Sequence, residues 1–396
     1  MCLSASYFTG AGLRPSHNPK RNPVLTSAAL LPAVAQEIEA KHSRLAALMD
    51  ENRWSAVLLS RHENIAWATA GRVEARVGLA SETAVCSLLI TRKGKRFYIA
   101  PENEAPRLAA EEFAGLDFEP LLYPWTDAAA ADLAHKAGGP EIGADTAIPG
   151  FEPCNFTPLR TPLLPTEVDR FRQLAADVAA STTRVLKTYT PGITEDEMAA
   201  RISADLLARH IAPTVLLMGT DERIFRYKHA VPRAGVLKNY GMLNLCARQH
   251  GMVISITRFV HFGAMPATLA ANFEKAARIN AELLHASRAG ATSADLYGVA
   301  AKGYASAGVP DEIAKHHQGG PCGYLERDWV ATPHGAQKID AVQGLAWNPS
   351  LRGAKAEDTA LLNNGEIEIL TATPDLPVIE TTIGGKVYRS AGVLLP

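Results

Sequence analysis

Five prolines between residues 149 and 165 constrain the fold of this chain more than any other local feature; they stand at positions 149, 153, 158, 162 and 165. Proline fixes its own φ angle and cannot donate a backbone hydrogen bond, so a segment this rich in proline continues neither a helix nor an inner strand. The pattern predicts a semi-rigid linker at 151–165. The chain has 396 residues, which is enough for a domain on each side of that linker.

The composition is that of a globular protein with a large core, at 47% hydrophobic and 20% charged residues. Lys and Arg (40) nearly balance Asp and Glu (41), so the charge gives no indication of nucleic acid or of an anionic membrane surface as partner. No apolar run is long enough to span a membrane. The five cysteines are scattered without a Cys-x-x-Cys pair. They indicate no disulfide framework and favour a reducing, cytoplasmic location.

The first half predicts an N-terminal arm at 1–34 and a small α/β domain at 35–150. The arm contains four prolines and no hydrophobic period, and we expect it to be an arm rather than a signal peptide. The domain begins with a helical pattern and contains a hairpin whose turn lies at 91–94. The predicted elements are a helix at 35–53, strands at 55–60, 85–89 and 95–100, a helix at 102–113, a strand at 118–123, a helix at 128–136 and a strand at 141–145.

The second half, 166–396, predicts two helices, a β-hairpin, two more helices and a strand-rich end. Thr166 with Asp169 and Thr194 with Glu197 resemble capping boxes at the first two helix starts. The hairpin turns at 248–251. The helices are expected to end near 189 and 210, with strands at 214–218, 241–247 and 253–262, helices at 266–288 and 292–307, and strands at 345–348, 356–362, 367–370, 378–383 and 386–389.

Six ordered local sequences in this half are more specific than the order of the elements. They are Pro191–Glu195, His229 within Lys-His-Ala, the stretch Asn244–Arg258, His317–Gly320, Trp347–Pro349 and Glu357–Thr359. Together they resemble the superfamily of methionine aminopeptidase, aminopeptidase P and creatinase. The resemblance implies an α+β protein: a C-terminal pita-bread domain at 166–396, preceded by a smaller creatinase-like α/β domain. It also implies a homodimer.

The resemblance further implies where metal ligands would stand. Metallopeptidases of this superfamily hold two divalent cations with two Asp, one His and two Glu. The matching positions here are Asn244, Ser255, His317, Asn348 and Glu357, so one carboxylate remains of four. Neutral amide and hydroxyl oxygens do not replace anionic bridging ligands, and a buried pair of cations would lack compensating charge. We therefore expect no metal pair and no cofactor, while a weak single metal on His317 and Glu357 stays open.

Histidine and glutamate remain for catalysis. Creatinase, the metal-free amidinohydrolase of the superfamily, works with histidines and carboxylates, and the resemblance carries this possibility to His229, His317 and Glu357. One histidine is expected to be the general acid/base, with Glu357 as its orienter or as a base. The sequence does not choose between the two histidines. His316 is expected to pack elsewhere, and Glu357 could instead be a structural partner of Lys355 or Arg352.

The remaining polar residues near these positions are candidates for substrate binding. Asn244, Ser255 and Asn348 would supply neutral hydrogen bonds to a polar substrate. Arg327 could clamp a carboxylate with two parallel hydrogen bonds, or form a surface salt bridge with Asp328 or Glu326.

Four functions are compatible with this sequence. The main hypothesis is a metal-independent, creatinase-like hydrolase of a C–N (amide or amidine) bond in a small polar molecule. The alternatives are a metal-dependent Xaa-Pro-type aminopeptidase or dipeptidase with altered ligands, a non-catalytic peptide-binding protein, as histone-chaperone subunits of the superfamily are, and a lyase on the same scaffold. All four predict a small-molecule or peptide ligand and none predicts nucleic acid or membrane.

Overall fold

The computed structural model describes residues 32–396. The predicted arm at 1–34 lies outside the described residues except for its last three, which already belong to the first helix. The elements up to residue 160 are α1 (Pro32–Asn52), β1 (Ala56–Arg61), α2 (His62–Ala68), β2 (Thr83–Thr91), β3 (Arg96–Pro101), α3 (Ala105–Arg107) with a following π-helical turn (Leu108–Glu112), β4 (Glu119–Tyr123), α4 (Ala130–Gly138), β5 (Ile142–Ala144), β6 (Glu152–Pro153) and α5 (Thr157–Arg160).

The strands of this half form one mixed sheet in the order β4-β3-β2-β1-β5-β6. The central strands β1, β2 and β3 are antiparallel neighbours, and the outer pairings are parallel. The sequence predicts this succession of elements except for α2 and for β6 and α5, two short elements within the predicted linker. The short helix α2 is buried along its whole length, so it has no polar face from which an amphipathic period could be read.

The elements of the second half are α6 (Pro165–Leu186), α7 (Glu195–Leu207), β7 (Ala212–Thr220), α8 (Glu222–Arg226), β8 (Tyr240–Gln249), β9 (Met252–His261), α9 (Ala267–Ala286), α10 (Ser293–Ser306), a 3₁₀ helix (Pro310–Lys315), β10 (Gly319–Cys322), β11 (Val342–Trp347), β12 (Ser350–Leu351), β13 (Ala354–Lys355), β14 (Ala360–Asn363), β15 (Glu366–Ile369), β16 (Val378–Ile383), β17 (Lys386–Ala391) and β18 (Val393–Leu394). Two four-stranded sheets, β18-β9-β8-β7 and β10-β11-β14-β15, carry the site described below. None of the helices in residues 32–396 combines the length and the hydropathy that a membrane-spanning helix needs.

One of the two predicted capping boxes forms and the other does not. Thr194 caps α7, because its hydroxyl accepts the Glu197 amide hydrogen while the Glu197 carboxylate accepts the Thr194 amide hydrogen. The prediction for Thr166 is wrong: α6 already begins at Pro165, and Thr166 donates to Glu37 instead. Proline is favourable at the first helical position because its missing N–H has no acceptor there.

A buried ionic cluster joins the two halves. The Lys41 side chain on α1 is fully buried, and its Nζ lies 2.6 Å from Glu37 Oε1, 2.8 Å from Glu167 Oε1 and 3.0 Å from the Tyr324 hydroxyl. Arg170 closes the cluster with two hydrogen bonds of 2.7 Å to Glu37. Glu37 and Lys41 lie on α1 in the first half, whereas Glu167, Arg170 and Tyr324 lie in the second half. The cluster therefore fixes one half against the other.

The tip of the β8–β9 hairpin also presses against the first half. Both turn residues have positive φ, His250 at +50° and Gly251 at +78°, as a two-residue type I′ turn requires. A Cβ on Gly251 would lie 2.5 Å from that of Ala66, and a Cβ on Gly71 would lie 2.3 Å from the His250 carbonyl oxygen. The two backbones approach so closely that only glycine fits at both positions.

His42 on α1 is expected to make the fold sensitive to mild acid. It is buried, and its Nε2–H donates to the Ala68 carbonyl oxygen at 3.0 Å. Burial, helped by Arg96, lowers its pKa from 6.5 to about 4. Because the folded state disfavours the charged ring, the contribution of His42 is complete above pH 6.5 and is lost as the pH falls toward about 4. The loss should amount to about 3 kcal/mol.

The measurement is urea unfolding of wild type and His42→Gln across this pH range. The glutamine amide can donate to the same carbonyl and does not titrate. As the pH falls, the wild type should therefore lose stability relative to His42→Gln. A difference that stays constant with pH would contradict the prediction. The titration of Glu37 does not overlap with this effect. Burial raises the pKa of Glu37, but Arg170 and Lys41 bring it down to about 2, so the contribution of Glu37 to stability is lost only below pH 4.5.

Candidate active site

The β8–β9 hairpin brings four small polar side chains to one face of its sheet. In its register Asn244 lies opposite Thr257 and Cys246 opposite Ser255. Residues two apart on a strand point to the same side, so all four face together. The two-residue turn at 250–251 sets this register, and it therefore determines that Asn244 and Ser255 lie on the same face.

Glu357 lies directly against this face. Its backbone carbonyl accepts the Thr257 amide hydrogen, and two residues further Thr359 exchanges hydrogen bonds with the Ser255 backbone. The Asn244 side-chain amide donates to Glu357 Oε2 at 2.7 Å, and the Thr257 hydroxyl makes a short hydrogen bond to the same oxygen. The carboxylate is thus held by two neutral donors before any charged group is considered.

Two cationic side chains complete the surroundings of Glu357. Lys355 Nζ lies 2.8 Å from Oε2 and Arg327 Nη2 lies 2.8 Å from Oε1. Arg327 also donates through Nη1 to the Ser255 hydroxyl at 2.8 Å. We call Glu357, Lys355 and Arg327 the charged triad. Burial raises the pKa of Glu357, but Lys355 and Arg327 outweigh it and hold the pKa well below its ordinary value.

These contacts do not fit a carboxylate-bridged pair of metal ions. Glu357 accepts from two cations and two neutral donors, three of them at Oε2 and one at Oε1, and these contacts occupy most of the oxygen lone pairs that would coordinate a metal. Ser255 accepts from Arg327, and the triad has more positive than negative charge. Placing two divalent cations beside it would add charge that nothing among the described residues offsets.

Three histidine rings lie together next to the triad. His229, His316 and His317 place one ring nitrogen each within 4.8 Å of one another, and we call them the histidine cluster. His316 Nε2 is 3.1 Å from His229 Nε2, and the rings of His316 and His317 stack at a centroid distance of 4.4 Å. His229 and His317 are exposed and His316 is half-buried, so the cluster opens to solvent.

The histidines are neutral bases in these surroundings. Burial, reinforced by Lys355, lowers the pKa of His316 from 6.5 to about 2. Although both rings are partly exposed, desolvation by the groups packed around them lowers the other two pKa values as well: with Arg327 it lowers that of His317 to about 4, and with Lys355 it lowers that of His229. At neutral pH all three rings therefore present lone pairs rather than positive charge.

Loops and an ion pair hold the cluster in place. His229 follows α8, whereas His316 and His317 follow the 3₁₀ helix and precede β10. Lys228 Nζ lies 3.1 Å from Glu312 Oε2 and so ties the first loop to the 3₁₀ helix. Gly319 has φ of +85° and a Cβ on it would lie 2.2 Å from the Ala346 carbonyl oxygen, so only glycine lets the chain turn into β10 there.

Several buried polar atoms near the site have no hydrogen-bond partner among the described residues. They are His316 Nδ1, Gln318 Oε1, Arg327 Nε, Asn348 Oδ1 and Ser350 Oγ. A cavity of about 20 Å³, the size of one water molecule, is lined by His316, Ser350, Lys228 and Lys355 among others. Because buried polar groups are nearly always paired, such a concentration marks a place where a ligand or water binds.

The structure brings the sequence candidates together, with partners that differ from those expected. His229 and His317 lie in one cluster, and Asn244, Ser255 and Glu357 lie on one face. Glu357 contacts cations rather than a histidine, so the geometry does not give it the role of orienter or base.

Arg327 and Asn348 also have surroundings that the sequence does not indicate. Arg327 pairs with Glu357, while Asp328 pairs with Arg160 and the Glu326 side chain accepts from Thr214. Asn348 is buried, and its backbone N–H donates to the carbonyl oxygen of Gln318. Gln318 directly follows His317 in the sequence, so Asn348 lies next to the strand end that carries this histidine.

The sequence named Lys355 only as one of two alternative structural partners of Glu357, and the structure shows that ion pair. Sequence reasoning placed His316 outside the site, because it was expected to pack elsewhere. Here the loop that follows the 3₁₀ helix is not regular, and both rings stack.

A larger cavity, of about 920 Å³, lies elsewhere, between the β16–β17 hairpin and α9. Arg258 and Asp358, an ion pair of 2.6 Å, are among the residues that line it. Arg258 is fully buried there. None of the three cluster histidines reaches this cavity.

Two family profiles match the chain. The profile of metallopeptidase family M24 covers residues 169–345, and that of the creatinase/prolidase N-terminal domain covers residues 41–174. No curated protein sequence matches significantly. The two matches follow one another along the chain, in the order that the sequence resemblance predicts.

Solved structures with the same fold include a prolidase, a dipeptidase and a subunit of the FACT complex. Prolidase from Pyrococcus horikoshii OT3 has a TM-score of 0.69 at 17% identity, over 84% of this chain and 98% of that one. Xaa-Pro dipeptidase from Bacillus anthracis has 0.69 at 15%, over 91% and 100%. The N-terminal domain of the FACT subunit SPT16 from Cicer arietinum (chickpea) has 0.65 at 12%, over 86% and 97%. These likenesses confirm the predicted fold class, an α+β pita-bread domain preceded by a creatinase-like domain.

Proposed function

The chain belongs to the creatinase and aminopeptidase P superfamily of pita-bread proteins, and from that premise we propose that it hydrolyses a C–N bond in a short, carboxylate-bearing peptide or peptide-like amide without a bridged pair of metal ions. The observation that carries the proposal is the charged triad, in which Lys355 and Arg327 occupy both oxygens of Glu357. The two cations stand in for the positive charge that two metal ions would supply.

The substrate class follows from the comparisons and from the charge of the site. Similar structures are named prolidase and Xaa-Pro dipeptidase, which favours the peptide alternative over a creatinase-like small molecule. One carboxylate faces two cations, and the neighbouring imidazoles are neutral, so the site has a net positive charge. A substrate with a carboxylate would balance that charge.

Amide hydrolysis needs stabilisation of the charge that develops on the carbonyl oxygen and activation of a water molecule. Lys355 has three N–H donors, of which one contact, to Glu357, is made within the described residues. It can therefore donate to a substrate oxygen while it stays fixed by the carboxylate. We place water activation at the histidine cluster, which is exposed and neutral. Glu357 acts as the anchor of both cations rather than as a base.

Lys355→Met tests this function. Loss of one donor to a developing oxyanion should lower kcat by about 10²–10³-fold. The assay follows both hydrolysis products of a panel of Xaa-Pro and other dipeptides, and of N-acyl amides, by liquid chromatography and mass spectrometry. Lys386→Met is the matched control, because Lys386 is exposed and pairs with Glu366 far from the triad.

Three results would contradict the proposal. One is unchanged activity in Lys355→Met, and another is hydrolysis that requires two equivalents of added metal. The third is peptide binding without turnover in the wild type, which would favour the non-catalytic alternative that the SPT16 likeness illustrates. The homodimer, the cytoplasmic location and the domain boundaries at 34, 150 and 165 stay predictions.

A further inference from the structure

The histidine cluster has the composition of a metal site that differs from the one expected for the family. It offers three imidazoles and no carboxylate, and Glu357, the acidic candidate nearby, is held by Lys355 and Arg327. The resemblance places a metal ligand at His317 but not at His229 or His316. A site built on all three is therefore a separate arrangement.

We propose that His229, His316 and His317 bind one borderline divalent cation of the zinc, cobalt, nickel or copper type. Imidazole nitrogens prefer these metals over magnesium, calcium or manganese, which prefer oxygen ligands. This inference goes beyond the proposed function and does not depend on it, because it concerns binding alone.

The distances suit such an ion. A tetrahedral zinc-type ion has nitrogens at about 2.0–2.1 Å, which places two of them about 3.3 Å apart. His229 Nε2 and His316 Nε2 are 3.1 Å apart, and all three ligand atoms lie within 4.8 Å of one another. The described residues offer three ligands, which leaves the fourth position to water or substrate, as in catalytic zinc sites.

The surroundings of His316 also suit a ligand. Its Nδ1 is buried without a partner, and the ring lines the water-sized cavity together with Ser350, whose hydroxyl is unpaired as well. A water molecule there would bond the ring nitrogen that does not face the cation, which is how metal-bound histidines are usually oriented.

Two features oppose the cation, and both are limited. The Gly319 amide donates to His317 Nδ1 at 3.2 Å, and coordination at that atom would displace this hydrogen bond. Lys355 and Arg327 add positive charge nearby, which the single carboxylate of Glu357 offsets only in part, whereas Lys228 is offset by Glu312. A bound cation would take the ring lone pairs that a general base needs, and its open fourth position would then hold the water to be activated. Water activation therefore stays at the histidine cluster with or without the cation.

Cobalt titration tests the inference. Tag-free, chelator-treated protein is titrated with Co²⁺, and the visible d–d absorption is recorded together with metal content after dialysis. We expect one equivalent per chain with the intense bands of a four-coordinate site. His229→Gln and His316→Gln should each weaken binding roughly tenfold or more, since each removes one of three ligands. His285→Gln is the control, because His285 bonds Tyr388 outside the cluster.

Each other outcome overturns the proposal. Absence of the bands in the wild type means that no such site forms. Bands that survive in His229→Gln and His316→Gln but vanish in His317→Gln would place the metal on His317 and Glu357 instead. Equal weakening in the His285→Gln control would indicate adventitious binding. Circular dichroism of each variant excludes unfolding as the cause, and because no substrate is used, failure here leaves the proposed hydrolysis unaffected.

Discussion

Glu357→Gln should lower the free energy of unfolding by about 3–5 kcal/mol, the cost of removing one partner from a buried ion pair. The side chains of Lys355 and Arg327 are 8% and 11% exposed, so neither can regain full hydration when the carboxylate is lost. The direction of the effect is diagnostic. In a metal-free site built of several carboxylates, neutralising one of them would relieve repulsion and stabilise the fold.

Urea unfolding in the presence of a chelator measures this effect. The double variant Glu357→Gln/Lys355→Met should recover part of the loss, because it removes one of the two unpaired cations. Glu366→Gln is the matched control: it breaks the exposed pair with Lys386 and should cost under about 1 kcal/mol. A stabilised Glu357→Gln variant, or one indistinguishable from the control, would refute the triad as the substitute for metal charge.

The second large effect is expected at Lys41, which should cost about 3–5 kcal/mol when it is replaced by methionine. The methionine fills a similar volume but leaves Glu167, which is fully buried, without its cation. Glu37 keeps Arg170 and is affected less. The loss should therefore be specific to the pair of Lys41 with Glu167.

Thermal and urea unfolding of Lys41→Met, Glu167→Gln and the double variant form a cycle that isolates this pair. The double variant should be more stable than the sum of the single losses indicates. Lys302→Met on α10 is the control, because Lys302 is exposed. Strictly additive losses, or a Lys41 effect no larger than that of Lys302, would show that the cluster contributes little.

The sequence contains most of the fold because its signals are local. The two-residue turn at 250–251 sets the register of β8 and β9, and this register alone places Asn244 and Ser255 on one face. Thr194 caps its helix as its spacing predicts, since both hydrogen bonds are made within four residues. At α6, Pro165 is a stronger helix-start signal than the neighbouring Thr166. The N-cap is Leu164, so the predicted cap position was wrong by two residues.

The partners within the site depend on contacts between distant parts of the chain. Arg327 comes to Glu357 from a loop thirty residues earlier in sequence, and no local pattern distinguishes this pairing from one with Asp328. Likewise, Lys228 and Glu312 bring His229 to His316 across more than eighty residues. The candidate residues could therefore be named from the sequence, whereas their roles required the geometry.

The close contact between the β8–β9 tip and the first half has a consequence for how such a protein can be divided or recombined. The strands that carry Asn244, Ser255 and Thr257 end in a turn that fits against Ala66 and Gly71. The second half therefore depends on the first half for the packing of this turn and cannot be transferred to another protein alone. Exchanging the first half for that of a relative would preserve the geometry around Glu357 only if the replacement offered the same small residues at this junction, so the two halves are bound to change together in evolution.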